Sequence, residues 1–244
     1  MFQNFSDMTM EERKQFVARR CSELKKTENA RRRKYIRAGF NMFFDKKHNL
    51  IACNNHKVGS STIVAVFQNI SDHQNVSKGD FRKKHLIQRL SPESINNSSA
   101  KSFMFVREPL QRLLSAYGNE AGQTRVRNVS FVMFLKNVLK EIDGKQRIDS
   151  HHMPFFQRCR PCDVEYDYVG TMETFDKDLK YILGQFGIDI DIVPRQNNEE
   201  SSSDGEEAIK NVPMDIKRQI WERYKEDYVI FGYPNFIQTN DSLV

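Results

Sequence analysis

The stretch Asn54-Asn55-His56-Lys57-Val58-Gly59-Ser60-Ser61-Thr62 follows an apolar run, Leu50-Ile51-Ala52-Cys53, and precedes Ile63-Val64-Ala65-Val66-Phe67. Its pattern reads strand, polar loop, helix. The start of such a helix points free backbone N–H groups at an anion. Lys57 adds a mobile positive charge and Gly59 lets the backbone approach closely. Ser60, Ser61 and Thr62 add hydroxyl donors.

A second stretch, Ser102 to Tyr117, repeats the plan. Phe103–Val106 is a buried-type strand with Arg107 at its end. Pro109 suits a first helical turn, and Arg112 and Ser115 fall on the helix that follows. Two strand-to-helix turns, each armed with a cation and hydroxyls, suit a ligand with two separate phosphates.

Outward from these turns, the charged segment Met10–Ala38 is expected to be a helix, with strands at Asn41–Phe44 and Asn49–Cys53 across a turn. Ser60–Ile70 is the first core helix, and Ser71–Ser99 reads as loop-rich. Lys101–Val106 is the second core strand. Helices are expected at Leu110–Asn119, Phe131–Ile142, Phe175–Phe186 and Pro213–Asp227, with a strand at Val164–Gly170. Asn197–Glu207, which contains Ser201-Ser202-Ser203-Asp204-Gly205, reads as a flexible loop. Strands alternating with helices define an α/β class. The organisation expected is a basic helical arm over residues 1–40 and one catalytic domain over residues 41–244.

The chain has 244 residues, 39% of them hydrophobic, and 18 are Phe, which suits one globular core. The net charge of +6 is an N-terminal property. Residues 1–40 hold eleven Lys/Arg against five Asp/Glu, and the remainder balances. A general nucleic-acid surface is therefore not expected. Arg31-Arg32-Arg33-Lys34 reads as a solvated helix face or as a point of attraction for an anionic glycan or membrane surface. No apolar run approaches the roughly 18 residues of a membrane span, and no signal peptide is visible. Sequons at Asn4, Asn69, Asn75, Asn96, Asn97, Asn128 and Asn240 exceed chance and lean towards a secretory history.

The two turns together resemble the nucleotide-binding motifs of the Golgi-type carbohydrate sulfotransferases, above all the chondroitin/dermatan 4-O-sulfotransferase and HNK-1 sulfotransferase group. That family holds the 5′-phosphosulfate of 3′-phosphoadenosine 5′-phosphosulfate (PAPS) on a Pro-Lys-Val-x-x-[ST]-x loop. It holds the 3′-phosphate on a Phe-Val-Arg-[DE]-Pro-x-x-Arg-Leu-x-Ser-Ala-Tyr segment. The second motif matches from Phe105 to Tyr117. The first matches at Lys57, Val58 and the hydroxyls, and departs at His56, where the family usually has Pro, and at Ile63-Val64-Ala65. Cys53, Lys84-His85-Leu86, His152, Cys159-Arg160-Pro161-Cys162 and Tyr166-Asp167-Tyr168-Val169-Gly170 extend the resemblance over most of the chain.

The resemblance implies a P-loop-like three-layer sulfotransferase fold with a central, mainly parallel sheet. It implies PAPS as sulfuryl donor, a glycan or proteoglycan acceptor, and residence at the Golgi membrane. The chain either lacks the anchor of those enzymes, or is a fragment or short isoform, or is made differently. Cys159 and Cys162 are a tight disulfide, half a zinc site, or two thiols. The disulfide is preferred, partly through the resemblance, and no second Cys pair supports zinc. No metal site is expected.

Sulfuryl transfer needs an in-line attack by a sugar hydroxyl, with charge building on the leaving phosphate oxygens. Lys57 is the candidate to stabilise that charge; its plain alternative is a surface lysine. The donor-binding set is His56, Lys57, Val58, Gly59, Ser60, Ser61 and Thr62 for the 5′ side, with Arg107, Arg112 and Ser115 for the 3′-phosphate. For Arg112 an ion pair with Glu108 or Glu173 is an equal reading. The base is expected to be His85, then His152 (with His151 beside it), then Glu108 or Glu173. Tyr117 and Tyr168 read as core. Two rivals stand beside the enzyme: a silent relative that binds PAPS or an anionic glycan, and a P-loop kinase. Lys57 precedes Gly59, so the kinase pattern Gly-x-x-x-x-Gly-Lys-[ST] is not met.

Overall fold

The computed structural model describes residues 4–27, 40–71, 74–121, 129–144, 149–189 and 203–234. These fall into two compact units. The first comprises Met1–Val106 and Phe155–Gln196, the second Arg107–Pro154 and Asn197–Val244.

The first unit is built on a five-stranded sheet. In chain order the strands are β1 (Phe40–Asp45), β2 (Leu50–Cys53), β3 (Ile87–Leu90), β4 (Lys101–Val106) and β5 (Tyr168–Thr171). Their order across the sheet is β3-β1-β2-β4-β5. β2–β4 and β4–β5 pair parallel, while β1 runs antiparallel to both β2 and β3. Four of the five strands thus point the same way and the sheet is mainly parallel. The central strands are continuous apolar runs because both their faces are covered. All four residues of β2 are buried, as are Ser102 to Val106 of β4. β3 was missed in the reading of Ser71–Ser99 as loop. It is an edge strand, half polar (Gln88, Arg89), without the alternation that marks a half-buried strand. Short helices α3 (Lys78–Phe81) and α4 (Pro92–Asn96) and a π-helical turn over Arg82–Leu86 lie among the described residues of that segment.

α1 (Met10–Thr27) lies within the expected Met10–Ala38 helix, whose remainder falls outside the described residues. α1 is anchored by Arg13, 2% exposed. Its guanidinium meets the Asp178 carboxylate at 2.5 Å and donates to the carbonyls of Phe5 and Ser6. Asp178 also accepts from the Thr171 N–H and the Thr174 hydroxyl, so the buried charges are fully engaged. α2 spans Ser60–Ile70 as its sequence predicts and is buried from Thr62 to Gln68. α7 (Phe155–Arg158) and α8 (Phe175–Gly184) complete the unit.

All four cysteines are paired, Cys21 with Cys162 and Cys53 with Cys159. This corrects the expected Cys159–Cys162 bridge. Arg160, between them, takes a left-handed φ of 53°, and each cysteine finds a distant partner: Cys159 the end of β2, Cys162 the α1 helix. Loops this long, 141 and 106 residues apart in sequence, are where cross-links remove most chain entropy, about 2–5 kcal/mol each.

The second unit is helical: α5 (Pro109–Ala121), α6 (Phe131–Asp143), α9 (Ser203–Lys210), α10 (Met214–Arg223) and α11 (Lys225–Ile230). Its core joins Leu113, Ala116, Phe134, Leu135, Val138, Ile216, Ile220 and Tyr224. Tyr117 is a core residue, its ring against Phe131 and Phe134 and its hydroxyl donating to the Val129 carbonyl. Two expectations change. Ser203–Lys210 is helix rather than loop, carried by Glu206, Glu207 and Ala208, which favour helix despite Gly205. Pro213–Asp227 is two helices, broken at Tyr224, whose φ and ψ leave the helical range.

Candidate functional site

The first unit supplies the loop between β2 and α2. Lys57 stands at φ 64° and Gly59 at φ 72°, both left-handed, with Val58 buried between them. A non-glycine residue pays about 1–2 kcal/mol for that conformation, and such strain collects at functional sites. Gly59 is the N-cap of α2 and no side chain caps the helix start. The first-turn N–H groups are therefore left to solvent or to an anion. Ser60 and Ser61 are accessible beside them, while Thr62 is 9% exposed.

Three residues outside the loop, Arg158, Arg82 and Phe175, hold it in place, and the sequence reading missed all of them. Arg158 donates from Nε to the Asn54 carbonyl at 2.9 Å, and its Nη2 lies 3.2 Å from His56 Nε2. The adjacent Cys159 is bonded to Cys53, so Arg158 and the loop are fixed by one covalent bridge. Arg82 donates to Asn54 Oδ1 at 2.9 Å while lying over the Phe43 ring. Burial pulls the Arg82 pKa down. Phe175 underlies Gly59 and packs its ring 4.7 Å from that of Phe105. Within the stretch, Asn55 is 1% exposed. It donates to the Phe105 carbonyl on β4 and accepts from the His56 N–H. Asn54 and Asn55 lay inside the quoted sequence but carried no signal beyond "polar loop". His56, where the resembled family usually has Pro, is held by Arg158 and Asn55 in place of a proline ring. The buried side chains of Ile63, Val64 and Ala65 belong to the core.

The second unit supplies the other motif. Glu108 precedes α5 and accepts from the Gln111 N–H, as an N-cap does, while its other oxygen accepts from the Tyr228 hydroxyl at 2.5 Å. Burial first, and then the Glu108 carboxylate, drive the Tyr228 pKa well above that of a free phenol. Arg107 is half-buried and Ser115 is 7% exposed on α5. Arg112 is fully buried. It donates to the carbonyls of His151 and Met153 and sits over the Tyr224 ring. These bonds tie α5 to the segment that carries His152.

The two candidate bases differ in setting. His152 is 4% exposed, its Nδ1 lies 3.0 Å from Glu141 Oε2, and its ring meets the Phe134 ring edge-on. His85 is exposed, stacks on Phe81, and lines a cleft with Phe67 near the end of α2 and Ser71, which follows that helix. No residue of the Asn54–Thr62 stretch lines that cleft. The structure therefore brings Lys57, Gly59, His56 and the hydroxyls of Ser60–Thr62 together, and sets His85 at the other end of α2. Among the described residues no group of three or more His, Cys, Asp and Glu could hold a metal ion, and no helix is long and apolar enough to cross a membrane.

Comparison with known proteins bears on this arrangement. Carbohydrate sulfotransferase 14 of Danio rerio is 28% identical over 176 residues, covering 59% of this chain and 47% of that protein. Carbohydrate sulfotransferase 12 of Mus musculus is 28% identical over 166 residues, covering 54% and 40%. Carbohydrate sulfotransferase 11 of Rattus norvegicus is 26% identical over 238 residues, covering 80% and 68%. Against the first two, the chain spans less than half of the relative's length. No solved structure matches. A family model described as the sulfotransferase family matches residues 40–234, from β1 to the residues after α11; the chain belongs to that family.

Proposed function

We propose that the chain transfers a sulfuryl group from PAPS to a hydroxyl of a glycan. The observation that carries this reading is the braced loop at the end of β2, with Lys57 in a left-handed turn and an uncapped helix start beyond it. Such a loop fits an anion: the close approach needs Gly59, and the positive end of α2 favours negative charge. On this reading His56 to Thr62 hold the 5′-phosphosulfate, Arg107 and Ser115 bind the 3′-phosphate, and Arg112 positions α5. Residues 41–244 form the catalytic region, and residues 1–40 carry the basic excess.

PAPS supplies the activated sulfuryl group. Lys57 offsets the negative charge that builds on the leaving side, where a fixed cation is worth most because it need not reorganise. The proton of the attacking hydroxyl goes to a histidine. His152 is proposed first because Glu141 fixes its ring, as a carboxylate fixes a catalytic imidazole; His85 is the alternative. The acceptor is a glycan or proteoglycan, and the setting proposed is the Golgi lumen. Two disulfides and the sequons support an oxidising, secretory history.

The test separates donor classes by titration calorimetry. The chain should bind 3′-phosphoadenosine 5′-phosphate (PAP) and not ATP. Arg107→Ala should weaken PAP roughly 10- to 150-fold, the worth of a charge-assisted contact. It should barely change adenosine 5′-phosphosulfate, which has no 3′-phosphate. Equal losses for both ligands would remove Arg107 from the 3′-phosphate role, and preference for ATP would favour the kinase reading.

A further inference from the structure

Arg158 closes α7 and reaches the loop after β2 at two points. Its Nε donates to the Asn54 carbonyl at 2.9 Å, and its Nη2 lies 3.2 Å from His56 Nε2. All three residues belong to the first unit. The backbone that carries Arg158 is fixed independently of these two contacts. Cys159, next in the chain, is fully buried and bonded to Cys53, and its carbonyl accepts from the Tyr166 hydroxyl at 2.6 Å. The guanidinium is therefore presented to residues 54 to 56 from a rigid support.

The chemistry of the pair decides where a proton sits. A guanidinium stays charged and can only donate. His56 Nε2 must then accept, which leaves the ring neutral with its proton on Nδ1. A proline at this position, usual in the resembled family, has no ring nitrogen that titrates. Protonating His56 sets donor against donor, and the contact is lost. Cations stand around the ring: Arg158 from α7, Lys57 beside it in the loop, and Arg82 from the π-helical turn, bonded to the side chain of Asn54.

The turn that follows depends on this brace. Lys57 stands at φ 64°, a strained conformation that persists only where the surroundings hold it. Arg158 grips the carbonyl three residues before Lys57 and the ring directly before it. A charge gained on His56 would by itself attract an anion, but the ring is only half-buried and solvent and salt screen it. Loss of the brace outweighs that gain, because the brace sets where Lys57 and the first N–H groups of α2 point.

We propose that Arg158 is a positioning residue for donor binding, acting through a His56 that is neutral and protonated on Nδ1. The inference rests on the donor-loop reading and deepens it: the loop grips its anion less well once His56 takes up a second proton.

The experiment uses the full chain with ring-¹⁵N-labelled histidine, and His56 is assigned by the signal missing from His56→Gln. Near neutral pH its Nε2 should resonate as an unprotonated, hydrogen-bonded nitrogen and its Nδ1 as protonated, and Arg158→Ala should abolish that preference. PAP affinity is then followed from about pH 7.5 to about pH 5.5, each protein against its own value at the upper end. The phosphates of PAP titrate alike throughout, and glutamine offers Arg158 an oxygen that does not titrate in this range. Wild type should lose about 3- to 10-fold more affinity over this range than His56→Gln. Arg158→Ala should bind PAP roughly 10-fold more weakly at the upper end and show no extra loss in acid. Arg158→Lys, which keeps the charge without the fork, should behave the same way. If Arg158→Ala does not fold, the comparison of wild type with His56→Gln decides alone. A ring protonated on Nε2, or parallel curves for wild type and His56→Gln, overturns the proposal. So does wild-type affinity that rises in acid relative to His56→Gln, which would make His56 a cationic ligand. A chain that binds no PAP defeats the donor reading whatever the ring shows; an Nε2-protonated ring in a chain that binds PAP defeats this proposal alone.

Discussion

The Phe175 ring lies so close beneath Gly59 that a Cβ added at residue 59 would come within 2.4 Å of its Cε2. Gly59 is thus fixed twice, by a left-handed φ of 72° and by an aromatic floor that itself packs on Phe105. The loop rests on the sheet through this contact, so its geometry is inherited from β4 and α8.

Gly59→Ala should therefore cost on the order of 2–4 kcal/mol through backbone strain and overpacking, and weaken PAP strongly. Adding Phe175→Leu makes room for the methyl group but leaves φ unsuited to alanine. The double variant should recover part of the melting temperature. A single Gly59→Ala variant with unchanged stability and PAP affinity would show that the loop does not need this glycine.

Three tyrosines make stability sensitive to alkali. Burial raises the phenol pKa of Tyr166 and Tyr224, and burial with Glu108 raises that of Tyr228. The folded chain keeps these protons where the unfolded chain, with an ordinary tyrosine pKa of about 10, releases them. Their contribution to stability is complete below pH ~10 and is lost as pH rises further. Of the eight tyrosines, these three should ionise only together with unfolding, seen as a late, cooperative rise in phenolate absorbance. Free titration of all eight before any loss of circular dichroism would contradict their burial.

The covalent pattern can be read by peptide mapping of protein from a secretory host. Unreduced digests should yield Cys21–Cys162 and Cys53–Cys159 linked peptides. N-glycans should occupy one or more of the exposed sequons Asn4, Asn69, Asn75 and Asn97. Asn96 should stay bare, because its side chain donates to the Asp163 carbonyl and accepts from the Glu165 N–H. A linked Cys159–Cys162 peptide would refute the pairing, and free thiols with bare asparagines would refute the secretory setting.

Much of the fold was legible because its signals are local. Helix Ser60–Ile70, strand Lys101–Val106 and the Pro109 helix start each follow from apolar runs and turn residues within a few positions. The failures are of two kinds. β3 is an edge strand whose pairing with β1, not its composition, makes it a strand. The cysteine partners lie more than a hundred residues apart, so spacing pointed to the neighbour in Cys159-Arg160-Pro161-Cys162 while the fold brought in Cys21 and Cys53. The site shows the same division. Lys57, Gly59 and the hydroxyls could be read from one stretch, whereas Arg158, Arg82 and Phe175 reach the loop only through the tertiary fold. His85 falls between the two donor motifs in sequence, yet the fold sets it in a cleft at the far end of α2.

The most direct measurement is transfer of labelled sulfate from PAPS to a panel of glycans by wild type, Lys57→Ala, His152→Ala and His85→Ala, with PAP affinity titrated on each. Wild type should label a glycan. Lys57→Ala should lose most of kcat while holding PAP nearly as well. His152→Ala should lose roughly 10²–10⁴-fold in kcat, and His85→Ala should leave kcat near that of wild type. A kcat loss that falls on His85 with acceptor KM intact would move the base there. Wild-type protein that binds PAP but labels no glycan would contradict the account and leave a silent nucleotide-binding relative.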